Sequence, residues 1–323
     1  MFGPENARKL RESLGPFNFQ IPTKRTGLLD SYCNFYGLDF GSSQQTITHS
    51  IGSITSNEFT VVCQHFQVPL AQQRGTAFLC HGYFDHAGIY NHLIEHCLRT
   101  GFSVVIFDLP GHGLSSGEVA SIASFRQYSA ALMVCLEIAR QQLVHSPWLL
   151  IGQSTGAAVI IDALLHEALA DRHQFAAYAL LAPLLRPRNW YRSKLMFEIS
   201  RWFLQSTPRT FANNSHDAEF LKFLRYSDAL QSQRLPRDWV MAMIDYQRRF
   251  ARSPQHSEAL HIIQGSGDGT VDWEYNLPKF LEKFPQAKSH MIANAGHHLV
   301  NESKPYRDKV FALLDAVINK AVN

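Results

Sequence analysis

The stretch Trp148-Leu149-Leu150-Ile151-Gly152-Gln153-Ser154-Thr155-Gly156 decides the reading of this chain. Its four leading apolar residues suit a strand, and the Ala- and Ile-rich run after it suits a helix. Between them stands G-x-S-x-G, which in a strand–turn–helix context pushes a serine hydroxyl out of a sharp turn at the top of a sheet. A hydroxyl is a weak nucleophile at neutral pH and needs an adjacent base. Gly152 and Gly156 fit where neighbouring strands leave no room for a Cβ. A glycine-bounded turn with an idle serine is the plainer reading, since five-residue patterns recur by chance. The partners offered by the rest of the chain decide between the two.

Working outward, the flanking sequence has the rhythm of a parallel sheet with crossover helices. Residues 46–54 and 58–68 are two β-rich runs joined by Ser56-Asn57, a hairpin signal. Strand 76–80 leads to a helix over 89–99, strand 103–107 to a helix over 125–143, and strand 148–151 to the helix after Ser154. Strand 176–181 ends at Ala182-Pro183. From 184 to 253 the alternation stops, and several amphipathic helices with no convincing strand are expected. The rhythm resumes with strand 260–264, helix 273–283, strand 289–293 and a last helix over 305–320, with Pro305 in its first turn. The sum is an α/β protein: eight strands, the first two antiparallel, the rest parallel. The expected organisation is an N-terminal wrapping segment over 1–45, a core formed by 46–183 and 254–323, and a helical cap, 184–253, inserted in that core.

Length and composition agree with one α/β core carrying an insertion. The chain has 323 residues, 46% hydrophobic and 18% charged, ordinary values for a large buried core. A formal charge of +3 is small for this length and argues against a nucleic-acid partner, which draws a concentrated basic face. No basic segment followed by an apolar run stands at the start, and no stretch approaches the ~20 apolar residues that cross a bilayer. Five scattered cysteines without C-x-x-C read as buried thiols in a reducing compartment, so a cytoplasmic location is expected. The 16 histidines contain no H-E-x-x-H, and neither a metal nor a cofactor is expected. The aromatic residues before 45 lack a basic amphipathic pattern, which disfavours a membrane-surface anchor there. Peripheral membrane contact by the whole protein stays open, as does its oligomeric state.

In open α/β sheets, chemistry gathers at the carboxyl ends of the strands. Those ends carry His81-Gly82-Tyr83-Phe84-Asp85-His86, then Asp108 to Ser115, Ser154, Gly265-Ser266-Gly267-Asp268, and Gly296-His297-His298. Ser, then Asp, then His is the chain order of triads on this architecture. Ser154 is the expected nucleophile. The base is His297 or His298, with His297 favoured because it follows Gly296 at the strand-to-loop turn. The carboxylate that orients it is Asp268, in a glycine-rich turn, rather than Asp272, which reads as a helix cap before Trp273. The oxyanion would take backbone N–H groups from Thr155, after the nucleophile, and from Tyr83 in the loop after the third strand, with Phe84 the alternative donor. His81 and Asp108 are expected to hold loops, Asp85-His86 to form an ion pair, and Gly111-His112-Gly113 to be a tight turn.

Taken jointly, several motifs give the chain a family likeness. His81 to Tyr90 is similar to H-G-x-x-E-H-x-x-x-Y, and Asp108 to Gly117 to D-x-x-G-H-G-x-S-x-G. His297 to Glu302 is similar to H-E-x-x-N-E, which favours His297 over His298, and Ser227-Asp228-Ala229-Leu230 to a D-P-L inside a cap. These resemble the α/β-hydrolase family of monoacylglycerol lipases and bacterial lysophospholipases, the group often labelled serine aminopeptidase-like hydrolases. The resemblance covers about 46–320. It implies an α/β-hydrolase fold and hydrolysis of a carboxylic ester, such as a monoacylglycerol or lysophospholipid, through an acyl-enzyme. The chain departs from the pattern at Gln153 in the elbow, at Asp85 for Glu, and at Ala229 for the cap proline. A thioesterase, amidase or carbon–carbon hydrolase would use the same triad, and a catalytically silent binding module is the alternative from another class.

Overall fold

The computed structural model describes residues 2–41, 46–167, 169, 175–200 and 202–322. Two ten-residue helices open it, α1 (Pro4–Ser13) and α2 (Gly27–Tyr36). The sequence reading expected no regular structure here, because neither helix has the length to display a periodicity. Gly37, in the left-handed conformation that ends α2, was the available stop signal. Aromatic residues of this segment pack against both faces of the sheet, Phe17 and Phe19 on one, Tyr32 and Tyr36 on the other. Residues 42–45, the end of the expected N-terminal segment, lie outside the described residues.

β1 (Thr48–Ser56) and β2 (Phe59–Gln67) form the antiparallel hairpin, turned at Asn57 with φ 51°. Then come β3 (Gly75–Cys80), α3 (Asn91–Arg99), β4 (Phe102–Phe107), α4 (Phe125–Gln141), β5 (Trp148–Gln153), α5 (Thr155–His166) and β6 (Phe175–Leu181). Ser124 starts α4 with a capping box closed by Gln127. The insertion holds α6 (Trp190–Ser200), β7 (Ser206–Pro208), α7 (Ala218–Tyr226), β8 (Arg234–Pro236) and α8 (Arg237–Arg252). β7 and β8 pair antiparallel, a ribbon the sequence reading missed because three-residue strands carry no alternation to detect. β9 (Leu260–Gly265), α9 (Trp273–Lys283), β10 (Lys288–Ile292) and α10 (Lys304–Val322) complete the chain.

The eight-stranded sheet has the order β1-β2-β4-β3-β5-β6-β9-β10, and β2 alone runs against the others, antiparallel to both β1 and β4. Every residue of β3, β4 and β5 is buried, as expected of parallel strands covered on both faces. Alternate side chains feed two apolar layers. Phe78, Val105 and Leu150 face α4 and α5, while Leu79, Ile106 and Ile151 join α2, α3 and α10. From β3 the chain steps to β4 on one side and to β5 on the other. The sheet therefore changes winding direction between β3 and β5, and a crevice opens there at the carboxyl ends. No helix among the described residues is long and apolar enough to cross a membrane.

Candidate active site

The turn after β5 holds Ser154 at φ 54° and ψ −110°, a strained backbone for a residue with a side chain. The turn is that sharp because its glycines permit it. A Cβ on Gly156 would collide with the Cys80 carbonyl of β3, so α5 packs directly on the neighbouring strand. At Gly152 the obstruction is the first turn of α5, with Ala157 N 2.6 Å from a built Cβ, and not a neighbouring strand as the sequence reading supposed. Ser154 ends 9% exposed, at the floor of the crevice.

His297 Nε2 lies 2.9 Å from Ser154 Oγ, and His297 Nδ1 lies 2.7 Å from Asp268 Oδ2. Burial pushes the Asp268 carboxyl up. The adjacent His297 and the hydrogen bonds from Gln264 and Thr270 outweigh that and hold it below its ordinary value. The ionised carboxylate can only accept, so the neutral imidazole carries its proton on Nδ1 and turns an acceptor Nε2 toward the hydroxyl. Asp268 is itself fixed by Gln264 Nε2 at 3.0 Å and by the N–H groups of Thr270 and Val271 at 2.8 and 3.1 Å. Gln264 carried no sequence signal. Asp272 lies at the N-terminus of α9, but its side chain makes no cap hydrogen bond. It accepts from Arg186 Nη2 and Nε at 2.6 and 2.9 Å.

The backbone around His297 is clamped from both sides. Gln153 Nε2 donates to the His297 carbonyl at 2.9 Å, so the elbow residue that departs from the family pattern anchors this histidine. Glu302 accepts from the N–H groups of Gly296, His216 and Ser303. His298 points elsewhere, with Nε2 3.1 Å from Asp85.

The loop after β3 is held by Tyr90, whose hydroxyl accepts from Gly82 N–H at 2.8 Å and donates to Asp85 at 3.0 Å. The expected Asp85–His86 ion pair does not form. Asp85 joins Tyr90 and His298, while His86 reaches across to Asp228 of the insertion. Neighbouring side chains on an irregular loop point apart and find partners in different elements. The Tyr83 ring stacks on Trp239 with centroids 3.7 Å apart, and its hydroxyl donates to the Ala120 carbonyl at 2.7 Å. That side chain is fully engaged. Among the described residues the N–H groups of Tyr83, Phe84 and Thr155 donate to no backbone carbonyl, and all three residues line the crevice with Ser154. His81 Nε2 accepts from Leu109 N–H, and Asp108 accepts from Ala87 and Leu114 N–H. His112 is buried against the Pro110 carbonyl in a tight turn.

Above Ser154 the crevice widens into a cavity of about 610 Å³. The insertion supplies most of its apolar wall, including Trp190, Met196, Leu224, Trp239 and Met243. No cluster of three or more metal-ligating side chains occurs among the described residues.

With this geometry, the model of the hydrolase family described as Serine aminopeptidase, S33, matches residues 71–304. The chain belongs to this family. Among the chain's relatives, the monoglyceride lipase homolog of Monkeypox virus is 30% identical over 145 residues, 43% of this chain and 51% of that protein. Monoglyceride lipase of Rattus norvegicus is 27% identical over 124 residues, 38% of this chain and 39% of that protein. The chain thus spans about half the length, or less, of these two relatives. The fold is that of a soluble variant of monoglyceride lipase from Saccharomyces cerevisiae, with TM-score 0.73 and 14% identity over 88% of this chain and 98% of that one. Monoacylglycerol lipase of Paleococcus ferrophilus superposes with TM-score 0.65 at 20% identity, over 80% of this chain and 98% of that one. This S33 hydrolase therefore has the α/β-hydrolase fold.

Proposed function

We propose that the protein is a serine hydrolase that cleaves carboxylic esters of acyl chains, such as monoacylglycerols or lysophospholipids, through an acyl-enzyme. The observation that carries this reading is the unbroken relay Ser154–His297–Asp268, with contacts of 2.9 and 2.7 Å, opening into a mostly apolar cavity.

Ser154 Oγ attacks the ester carbonyl as His297 Nε2 takes its proton. Asp268 holds the resulting imidazolium in place and balances its charge. The carbonyl oxygen, now negative, is met by the N–H groups of Tyr83 and Thr155. His297 returns the proton to the alcohol as the C–O bond breaks, leaving an acyl-Ser154. Water then attacks the acyl carbon, gives its proton to His297, and releases the acid as Ser154 regains that proton. No cofactor or metal enters these steps.

In this reading residues 184–253 act as a cap over a core formed by 46–183 and 254–323, with 1–45 bound along it. The apolar wall of the cavity supports an acyl chain as the part recognised. Leu195, Met196 and Ile199 of α6 are each more than half exposed, and Met196 also lines the cavity. They support uptake of that ester from a lipid aggregate.

The test combines a fluorophosphonate probe with a panel of glycerol esters of increasing acyl length. Labelling of the wild type but not of Ser154→Ala, with turnover that rises with chain length, is the expected result. Equal turnover by wild type and Ser154→Ala would overturn the reading.

A further inference from the structure

Arg209 follows β7 in the insertion and lines the same cavity as Ser154. Its guanidinium carbon stands 4.1 Å from the centre of the Phe84 ring and 4.3 Å from that of Phe211. Phe84 is the residue next to Tyr83, so the cation sits against the loop that faces the nucleophile. Nη1 donates to Gln231 Oε1 at 2.6 Å and to the Ser232 carbonyl at 3.2 Å. These partners are neutral. Among the described residues no carboxylate lies within ion-pair distance of Arg209, and Nε and Nη2 have no protein partner, yet both keep some accessible surface on a residue that lines the cavity.

A half-buried guanidinium with no carboxylate in contact is costly, and Asp85 and Asp228 offset that cost only from beyond ion-pair distance. Burial lowers its pKa to about 10, which still leaves it charged at neutral pH. No other group lining the cavity makes a contact ion pair with it. Arg225 and Arg237 also line the space, the first against the Phe211 carbonyl and the second beside Asp238 at its rim. The one acid in the lining, Asp85, is already taken by His298 and Tyr90. The cavity therefore joins an apolar wall to a rigid cation whose free N–H groups form a planar fork, the geometry that binds carboxylate or phosphate oxygens in pairs.

We propose that Arg209 is a specificity-determining residue, and that the acyl ester taken by the Ser154 cavity carries an anionic group, phosphate or carboxylate, which this guanidinium holds. The proposal rests on the serine-esterase reading and narrows its substrate to anionic amphiphiles.

Three esters with one acyl length separate the possibilities, using the full-length protein. They are a 1-acylglycerol, which is neutral, the corresponding 1-acylglycerol 3-phosphate, and a glycerol ester of a dicarboxylic acid with a free distal carboxylate. The wild type should prefer one anionic ester over the neutral one by about tenfold or more in kcat/KM, the worth of a charge-assisted hydrogen-bond pair. The preferred ester identifies a headgroup phosphate or an acyl-end carboxylate. Arg209→Gln should collapse that ratio, chiefly through KM, and Arg209→Lys should keep part of it. Equal kcat/KM for all three esters, or a ratio that survives Arg209→Gln, would overturn the proposal. A separate arm needs neither turnover nor the variants. In the wild type, dodecyl phosphate should slow fluorophosphonate labelling of Ser154 at about a tenth of the concentration of dodecanol that does so. Equal protection by the two would likewise overturn it. Absence of turnover on every ester would instead strike at the esterase reading, and the protection arm keeps the two failures apart.

Discussion

His86 Nε2 lies 2.9 Å from Asp228 Oδ2, both side chains fully withdrawn from solvent, so the loop that carries Tyr83 is tied to the insertion through a buried pair. Tyr36 of α2 donates to the other oxygen of Asp228 at 2.8 Å. Three segments far apart in sequence meet on one carboxylate. Burial pushes His86 down and Asp228 up, but their mutual attraction wins, so His86 is raised and Asp228 lowered. Removing one member of such a pair strands the other. Asp228→Asn is expected to cost about 3–5 kcal/mol in urea denaturation. Tyr36→Phe, which removes a single hydrogen bond to a charge, is expected to cost about 1.5–3 kcal/mol. A loss under about 1 kcal/mol for Asp228→Asn would show that the pair does not hold the three segments together.

Asp268→Asn should keep the fold and lose the chemistry. An amide can donate to His297 Nδ1 and so favours the tautomer with its proton on Nε2, pointing at Ser154. A drop of about 10⁴ in kcat is expected, with a near-native melting temperature. Steady-state kinetics beside a thermal melt measures both. Retention of more than about a tenth of wild-type kcat would remove Asp268 from the relay.

Gln153 gives a different signature. Its amide holds the His297 carbonyl from the turn that carries Ser154. Gln153→Leu should lower kcat by about 10–100-fold with a smaller change in KM, because His297 is displaced while only one of the many residues lining the cavity is altered. An unchanged kcat would mean that the Glu302 contacts alone position His297.

Acid should destabilise the fold in a window set by buried neutral histidines. His49 and His81 are pushed down to about 3, and His65 and His112 to about 4, in each case first by burial. Between those values and the ordinary ~6.5 the unfolded chain binds protons that the folded chain refuses, so stability falls as pH drops below ~6.5. Each histidine contributes up to about 1.4 kcal/mol per pH unit there, whereas the raised His86 acts only above ~6.5, where the stability it contributes is lost as pH rises. His65→Gln should shrink the stability difference between pH 6.5 and 5 by about 2 kcal/mol, as read by denaturant melts at the two pH values. An unchanged difference would mean that His65 titrates normally in the folded state.

The sequence by itself determined the βα order, the continuous apolar strands and the strand–turn–helix around Ser154. These are local properties: periodicity, apolar run length and glycine tolerance act over a few residues, so one chain suffices to read them. It also offered Asp268 and His297 by their position at strand ends, yet it left each beside a rival one or four residues away. Only the tertiary structure decided what those side chains touch. His297 faces Ser154 and Asp268 while His298 turns to Asp85, and Asp272 is drawn off by Arg186. Partners separated by 86 to 192 residues meet at Arg186–Asp272, His297–Ser154 and Tyr36–Asp228 because packed strands and helices bring their ends together. No periodicity along the chain encodes those distances. For the same reason α1, α2 and the β7–β8 ribbon escaped notice: each is too short to carry a pattern, and what holds each in place is the surface it packs against.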